Sequence, residues 1–191
     1  MHAIVTKGRP LIFAFHGTGG DEHQFAGLVA ELWPGAGVVS PRGTVSEFGA
    51  NRFFRRKAEG IYDMEDLSAR TDEMIAFVRD QLSPGVPARA FGYSNGANIL
   101  AAMTFRAPDL FERVALLHPL IPFTPPAQPG LAGRRVLITG GARDPIAPLA
   151  GTEALASYYR AQGAEVSSEL HPGGHELRPE EIAALQAAFA P

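Results

Sequence analysis

Ala88-Arg-Ala-Phe-Gly-Tyr-Ser-Asn-Gly-Ala-Asn-Ile-Leu100 is the stretch on which the fold of this 191-residue chain turns. Residues 88–92 read as a short apolar strand, and Ile99, Leu100, Met103 and Phe105 follow at spacings suited to a buried helix. Between them, Gly92-Tyr-Ser-Asn-Gly96 matches Gly-x-Ser-x-Gly, the sharp strand-to-helix turn that presents a serine hydroxyl at the carboxyl end of a strand. The flanking glycines keep side chains out of the place where strand and helix nearly touch. The helix that follows aims its free N–H groups and positive dipole end at the serine. In a chain with 21 glycines such a pattern can arise by composition, so its weight comes from the strand and helix around it.

Working outward, strands and helices alternate. Leu11-Ile-Phe-Ala-Phe15 is a continuous apolar run, as in a strand buried on both faces, and it ends in His16-Gly-Thr-Gly-Gly20. Phe25, Leu28, Val29 and Leu32 have helical spacing, and residues 37–40 read as a second short strand. Residues 44–62 read as a polar and aromatic loop. Asp63 is placed to cap a helix that carries Leu67, Thr71, Met74, Ile75, Val78 and Leu82 on one face. Downstream come strands at 113–117, 135–140 and 165–170, a helix closed by Gly163, and a final helix opened by Pro179. This order predicts one α/β domain over residues 1–191, with a mostly parallel central sheet and helices on both faces. The link between 117 and 135 holds Pro119, Pro122, Pro125, Pro126 and Pro129, which argues against a stable helix and hence against a large cap domain.

Composition narrows the partners. A net charge of −3 gives no electrostatic reason to expect nucleic acid or an anionic membrane. The absence of cysteine excludes disulfides, thiolate metal sites and a cysteine nucleophile. No apolar run is long enough to span a bilayer and the first residues do not resemble a signal peptide, so the expected location is the cytoplasm.

Reactive groups in such a fold belong in loops at the carboxyl ends of strands. A serine hydroxyl needs a base, and the base an orienting acid, in the chain order Ser, Asp or Glu, His. Asp144 fits the acid: it follows a strand, in Gly140-Gly-Ala-Arg-Asp-Pro145. His175 fits the base, in Leu170-His-Pro-Gly-Gly-His-Glu176, with His171 of the same loop as its rival. Oxyanion donors are expected from the N–H of Asn95 and from the glycine-rich turn after the first apolar strand, at Thr18. His16, His118, His171 and His175 all lie near strand ends, but none of the usual His spacings for metal ligation is present, so no metal and no cofactor is expected. Arg52-Phe-Phe-Arg-Arg-Lys57 suits a substrate with a ring or a carboxylate, which nominates Phe53, Phe54 and Arg55 as pocket residues, with Phe123 as a further wall. The competing reading puts the phenylalanines in the core and the arginines in solvent or paired with Glu59, Asp63 or Glu65. The patch Leu120-Ile-Pro-Phe123 could equally be covered in a homodimer.

His16-Gly-Thr-Gly-Gly-Asp-Glu22, Arg52-Phe-Phe-Arg-Arg56, Gly92-Tyr-Ser-Asn-Gly-Ala-Asn98, Arg143-Asp-Pro145 and Gly174-His175 together resemble the small α/β-hydrolases of the phospholipase/carboxylesterase type. Among these the chain is most similar to the bacterial MhqD-like hydrolases, and the resemblance covers nearly its whole length. It implies a triad of Ser94, Asp144 and His175 with Thr18 and Asn95 as oxyanion donors. The expected activity is that of a serine carboxylesterase on small short-chain or aryl esters. An acyltransferase or thioesterase on the same triad, and a non-catalytic ligand receptor, are the alternatives.

Overall fold

Period-two alternation in the strand Leu11–Phe15 divides the hydrophobic core in two. Leu11, Phe13 and Phe15 join one cluster, and Ile12 and Ala14 join the other on the opposite face. A sheet covered on both sides follows directly from that division.

The computed structural model describes residues 1–190. The first half of the chain runs β1 (Ala3–Val5), β2 (Leu11–Phe15), α1 (Ala26–Leu32), β3 (Gly37–Pro41), β4 (Val45–Glu47), β5 (Ala50–Arg52), β6 (Arg56–Ala58), β7 (Ile61–Tyr62) and α2 (Met64–Gln81). The second half runs β8 (Ala88–Tyr93), α3 (Asn95–Arg106), β9 (Arg113–Leu117), β10 (Arg135–Gly141), α4 (Leu149–Ala161), β11 (Glu165–His171) and α5 (Pro179–Ala188). Seven strands form the central sheet in the order β1-β3-β2-β8-β9-β10-β11. Only the edge pair β1–β3 is antiparallel; every other pairing is parallel.

Helices α2, α3 and α4 pack on the Phe13 face, while α1 and α5 pack on the Ile12 face. The helix after the serine turn is buried along nearly its whole length, with Ile99, Leu100 and Met103 fully buried. Each contributes about 1.5–3 kcal/mol relative to exposure. Asp63 caps α2 as expected, its side chain accepting the Asp66 N–H at 3.1 Å. Pro179 opens α5, and Gly163 follows α4 at φ +83°, a backbone that strains other residues.

Two expectations change. Residues 44–62 are two small antiparallel ribbons, β4–β5 and β6–β7, rather than a plain loop. Strands of two or three residues are too short to show a period, and turns at Gly49 and Gly60, both at positive φ, decide them. Residues 3–5 add an edge strand on β3 that the opening sequence does not announce. The proline-rich link, as expected, holds no α-helix, only a 3-10 turn at Pro129–Leu131. No helix among the described residues is long and apolar enough to cross a membrane.

Candidate active site

Parallel register lines up the carboxyl ends of the central strands. Phe15 pairs with Gly92, Tyr93 with Leu117, Leu117 with Thr139, and Gly141 with His171. Five successive strand ends therefore deliver His16 to Thr18, Ser94, His118, Asp144, and His171 to His175 to one rim.

Ser94 sits at φ 53° and ψ −117°, a strained conformation for a residue with a side chain. The cost is about 1–3 kcal/mol, which the surroundings must offset. Its N–H donates to Leu117 O at 2.8 Å, and its carbonyl accepts the Asn98 N–H at 2.9 Å. The glycines of the motif permit the close approach: a Cβ on Gly92 would lie 2.8 Å from Ala97 N, and one on Gly96 would lie 2.5 Å from His16 O.

Ser94 Oγ is 2.9 Å from His175 Nε2, and His175 Nδ1 is 2.6 Å from Asp144 Oδ2. The other oxygen of Asp144 accepts the N–H groups of Ile146 (2.8 Å) and Ala147 (2.9 Å). Burial pushes this carboxyl up. The Ala147 N–H, His118, His175 and the Ile146 N–H outweigh burial and hold it below the usual aspartate range. The loops that carry Asp144 and His175 are laced together by Ala142 N–H to His171 O and Arg143 N–H to Gly173 O, both at 2.8 Å. Gly141 makes that possible, since a Cβ there would lie 2.6 Å from Gly173 O. Tyr93 lies beside the His175 ring, and its hydroxyl donates to His175 O at 2.5 Å. Burial pushes the Tyr93 phenol up to about 12.

Around the turn at residues 17–20, the N–H groups of Gly17, Gly19 and Gly20 are engaged by Gln24, Asn51 O and Gly17 O. Thr18 N–H has no partner among the described residues. Arg52 pins this residue by donating to Thr18 Oγ1 at 2.8 Å. Asn95 is the first residue of α3, so its N–H has no acceptor within the helix. Both residues line the same cleft as Ser94 and His175, a cavity of about 250 Å³. His16 stands apart from this chemistry. It is fully buried, with its ring nitrogens facing Gly17 O and the Gly43 N–H.

His171 is not within reach of Ser94 in the way His175 is. It belongs to a buried cluster behind Asp144: its Nε2 lies 3.2 Å from Glu181 Oε2 and 3.4 Å from His118 Nε2. His118 in turn contacts Asp144 Oδ2 through Nδ1 at 2.7 Å and Glu181 Oε1 through Nε2 at 3.0 Å. Glu181 carried no signal in the sequence, because it reads as an ordinary first-turn acidic residue of α5.

The expected substrate walls lie elsewhere. Phe53 and Phe54 are 2% and 0% exposed. Phe53 packs on Phe15 and His16, and Phe54 on Tyr62. Burying an aromatic ring outweighs presenting it to a small polar cleft. Arg55 points outward to Asp63 and Asp66. Phe123 packs against Phe105 over α3 and lines a separate apolar groove. The cleft walls are instead Arg52, Arg56, Glu59, Tyr62, Leu120 and Ile146. The pairing of β6 with β7, and Arg52's place at the end of β5, bring Arg52, Arg56, Glu59 and Tyr62 round, while Leu120 and Ile146 come from the links after β9 and β10.

The fold and this rim define a single-domain α/β-hydrolase without a large cap. No family profile matches the chain. It is 37% identical over 187 residues to MhqD of Bacillus subtilis (strain 168), itself provisionally named a hydrolase, covering 95% of this chain and 94% of that protein. The chain therefore belongs to the MhqD-like hydrolases, of the esterase type. Among solved structures, the Bacillus cereus carboxylesterase superposes with a TM-score of 0.91 at 35% identity, covering 97% of this chain and 91% of that one. Atu2452 of Agrobacterium tumefaciens str. C58, a protein of unknown function, superposes with a TM-score of 0.86 at 49% identity, covering 96% and 91%.

Proposed function

We propose that this protein is a serine carboxylesterase for small esters, short-chain or aryl, with Ser94 as nucleophile, His175 as base and Asp144 as the orienting acid. The observation that carries it is the chain of contacts from Ser94 Oγ to His175 Nε2 at 2.9 Å and from His175 Nδ1 to Asp144 Oδ2 at 2.6 Å. The similarity to a carboxylesterase supports the same chemistry. Ser94 Oγ attacks the ester carbonyl while His175 Nε2 takes its proton. The developing oxyanion is met by the N–H groups of Thr18 and Asn95. The proton then passes to the leaving alcohol, and water releases the acyl group through the same base. Asp144 stays ionised and fixes the imidazole with its proton on Nδ1.

The test is Ser94→Ala, which loses about three or more powers of ten in ester turnover while remaining folded. A fluorophosphonate labels the parent at Ser94 and leaves the variant unlabelled. Labelling at another serine such as Ser46, or activity that survives His175→Ala but not His171→Ala, overturns the assignment.

A further inference from the structure

His118 takes no part in the mechanism above, yet it is fully buried and in contact with the acid of the triad. It follows β9 directly and holds a positive φ of 52°, a conformation uncommon outside glycine, though histidine adopts it more readily than most residues. Its N–H donates to Thr139 O at 3.1 Å, which locks that backbone in place.

The protons in this cluster can be counted. Asp144 Oδ2 faces two imidazole nitrogens, His118 Nδ1 at 2.7 Å and His175 Nδ1 at 2.6 Å, while Oδ1 takes two backbone N–H groups. An ionised carboxylate satisfies all four only if both Nδ1 atoms carry protons. His171 Nδ1 accepts the Gly173 N–H at 3.0 Å, so the His171 proton is on Nε2, facing Glu181 Oε2. Glu181 also accepts the Thr139 hydroxyl at 2.5 Å and the Arg178 N–H at 2.8 Å. With those donors in place Glu181 is a carboxylate, and the 3.0 Å contact to His118 Nε2 is filled by a second imidazole proton.

We propose that His118 is a positioning residue of this esterase: an imidazolium clamped between the carboxylates of Asp144 and Glu181, which fixes the Asp144 oxygen shared with His175 and sets the pH at which the site gains activity. The proposal rests on the triad reading above. Directions of proton affinity agree with it. Burial pulls His118 down, but its hydrogen bonds to Glu181 and Asp144 outweigh that and raise it; Glu181 is likewise held low against its own burial. A divalent ion on His118 Nε2, His171 Nε2 and Glu181 is the rival occupant, since these groups lie close together. His171 argues against it. Ligation through Nε2 would move its proton to Nδ1, against the Gly173 N–H that now donates there.

Among the described residues, His118 is faced by Asp144 from the loop after β10, Glu181 from α5, His171 from the end of β11, and the rings of His175 and Tyr93. His175 is faced by Asp144, Ser94, Tyr93 and His118. The His118 and His175 ring centres are 5.1 Å apart, so a charge on His118 acts at close range on the ring that faces Ser94. The test is the pH profile of kcat/KM for ester hydrolysis in the parent, His118→Asn and Glu181→Gln, with metal analysis of the purified parent and Ser94→Ala as background. His118→Asn moves the acid limb upward by about one pH unit, tenfold in the ionisation constant. Glu181→Gln moves it the same way by less, because His118 then keeps its bond to Asp144 without its second proton. In the parent, nitrogen-15 spectra show a doubly protonated His118 that persists above the ordinary histidine range. An unmoved limb with intact labelling of Ser94, a singly protonated His118, or one equivalent of bound metal overturns the proposal and leaves the triad standing. Hydrolysis that survives Ser94→Ala brings down the triad reading, and this proposal with it.

Discussion

Replacing Gly96 with alanine tests whether the contact between α3 and β2 fixes the serine turn. Gly96 is the second residue of α3, where helix propensity alone favours alanine by up to about 1 kcal/mol. The structure reverses that sign. A Cβ on Gly96 would lie 2.5 Å from His16 O and 2.6 Å from Phe15 C, and would also strike Phe15 O. Carbon and oxygen ordinarily stay about 3.3 Å or more apart. Neither side yields easily, because β2 is paired on both edges and α3 is buried along nearly its whole length. The helix must therefore retreat by about 1 Å, at an overpacking cost of about 1–3 kcal/mol. The same retreat carries Asn95 N–H away from Thr18 N–H, and a misplacement of about 1 Å costs on the order of 10²-fold in rate. Gly151→Ala in α4 is the control, since nothing lies within 4 Å of its added Cβ. Urea unfolding and kcat/KM on a small aryl ester are measured for both variants. We expect Gly96→Ala to lose stability and about 100-fold in kcat/KM, and Gly151→Ala to gain stability with unchanged turnover. If Gly96→Ala gains stability and keeps full activity, close packing is not what holds the turn.

Two other perturbations probe the rest of the reading. The link between β9 and β10 holds no helix that could close as a lid, so a series from acetyl to palmitoyl esters should favour the short members and show no jump at the substrate's aggregation point; a preference for palmitoyl would reveal a long acyl groove. The buried cluster also makes stability depend on pH. Asp144 and Glu181 are held below their ordinary values of 3.8 and 4.5, so their contribution is present above those values and lost as pH falls through the lowered ones. His118 is raised above 6.5, so its contribution is full below that value and lost as pH rises through the raised one. The Tm difference between the parent and His118→Asn/Glu181→Gln should thus be widest between 4.5 and 6.5 and narrow on both sides; a constant difference would show that the cluster is held by packing alone.

Local signals carried much of this protein. The alternation of apolar strands and periodic helices fixed the α/β class, and Gly92-Tyr-Ser-Asn-Gly96 with its flanking strand and helix placed Ser94 at a strand end. Asp144 and His175 were legible because chain order and loop position are properties of a linear sequence, and the structure brings both to Ser94. What needed tertiary structure was everything that depends on which way a side chain faces. Arg52-Phe-Phe-Arg-Arg56 reads equally well as a pocket wall or as core, and only folding of the two small ribbons sends Phe53 and Phe54 inward and brings Arg52 and Arg56 to the cleft. His118, His171 and Glu181 lie far apart in sequence, just past β9, at the end of β11 and in the first turn of α5, with no spacing that links them. Their meeting depends on parallel register and on α5 crossing beneath the strand ends, and long-range contacts of that kind leave no local period to read.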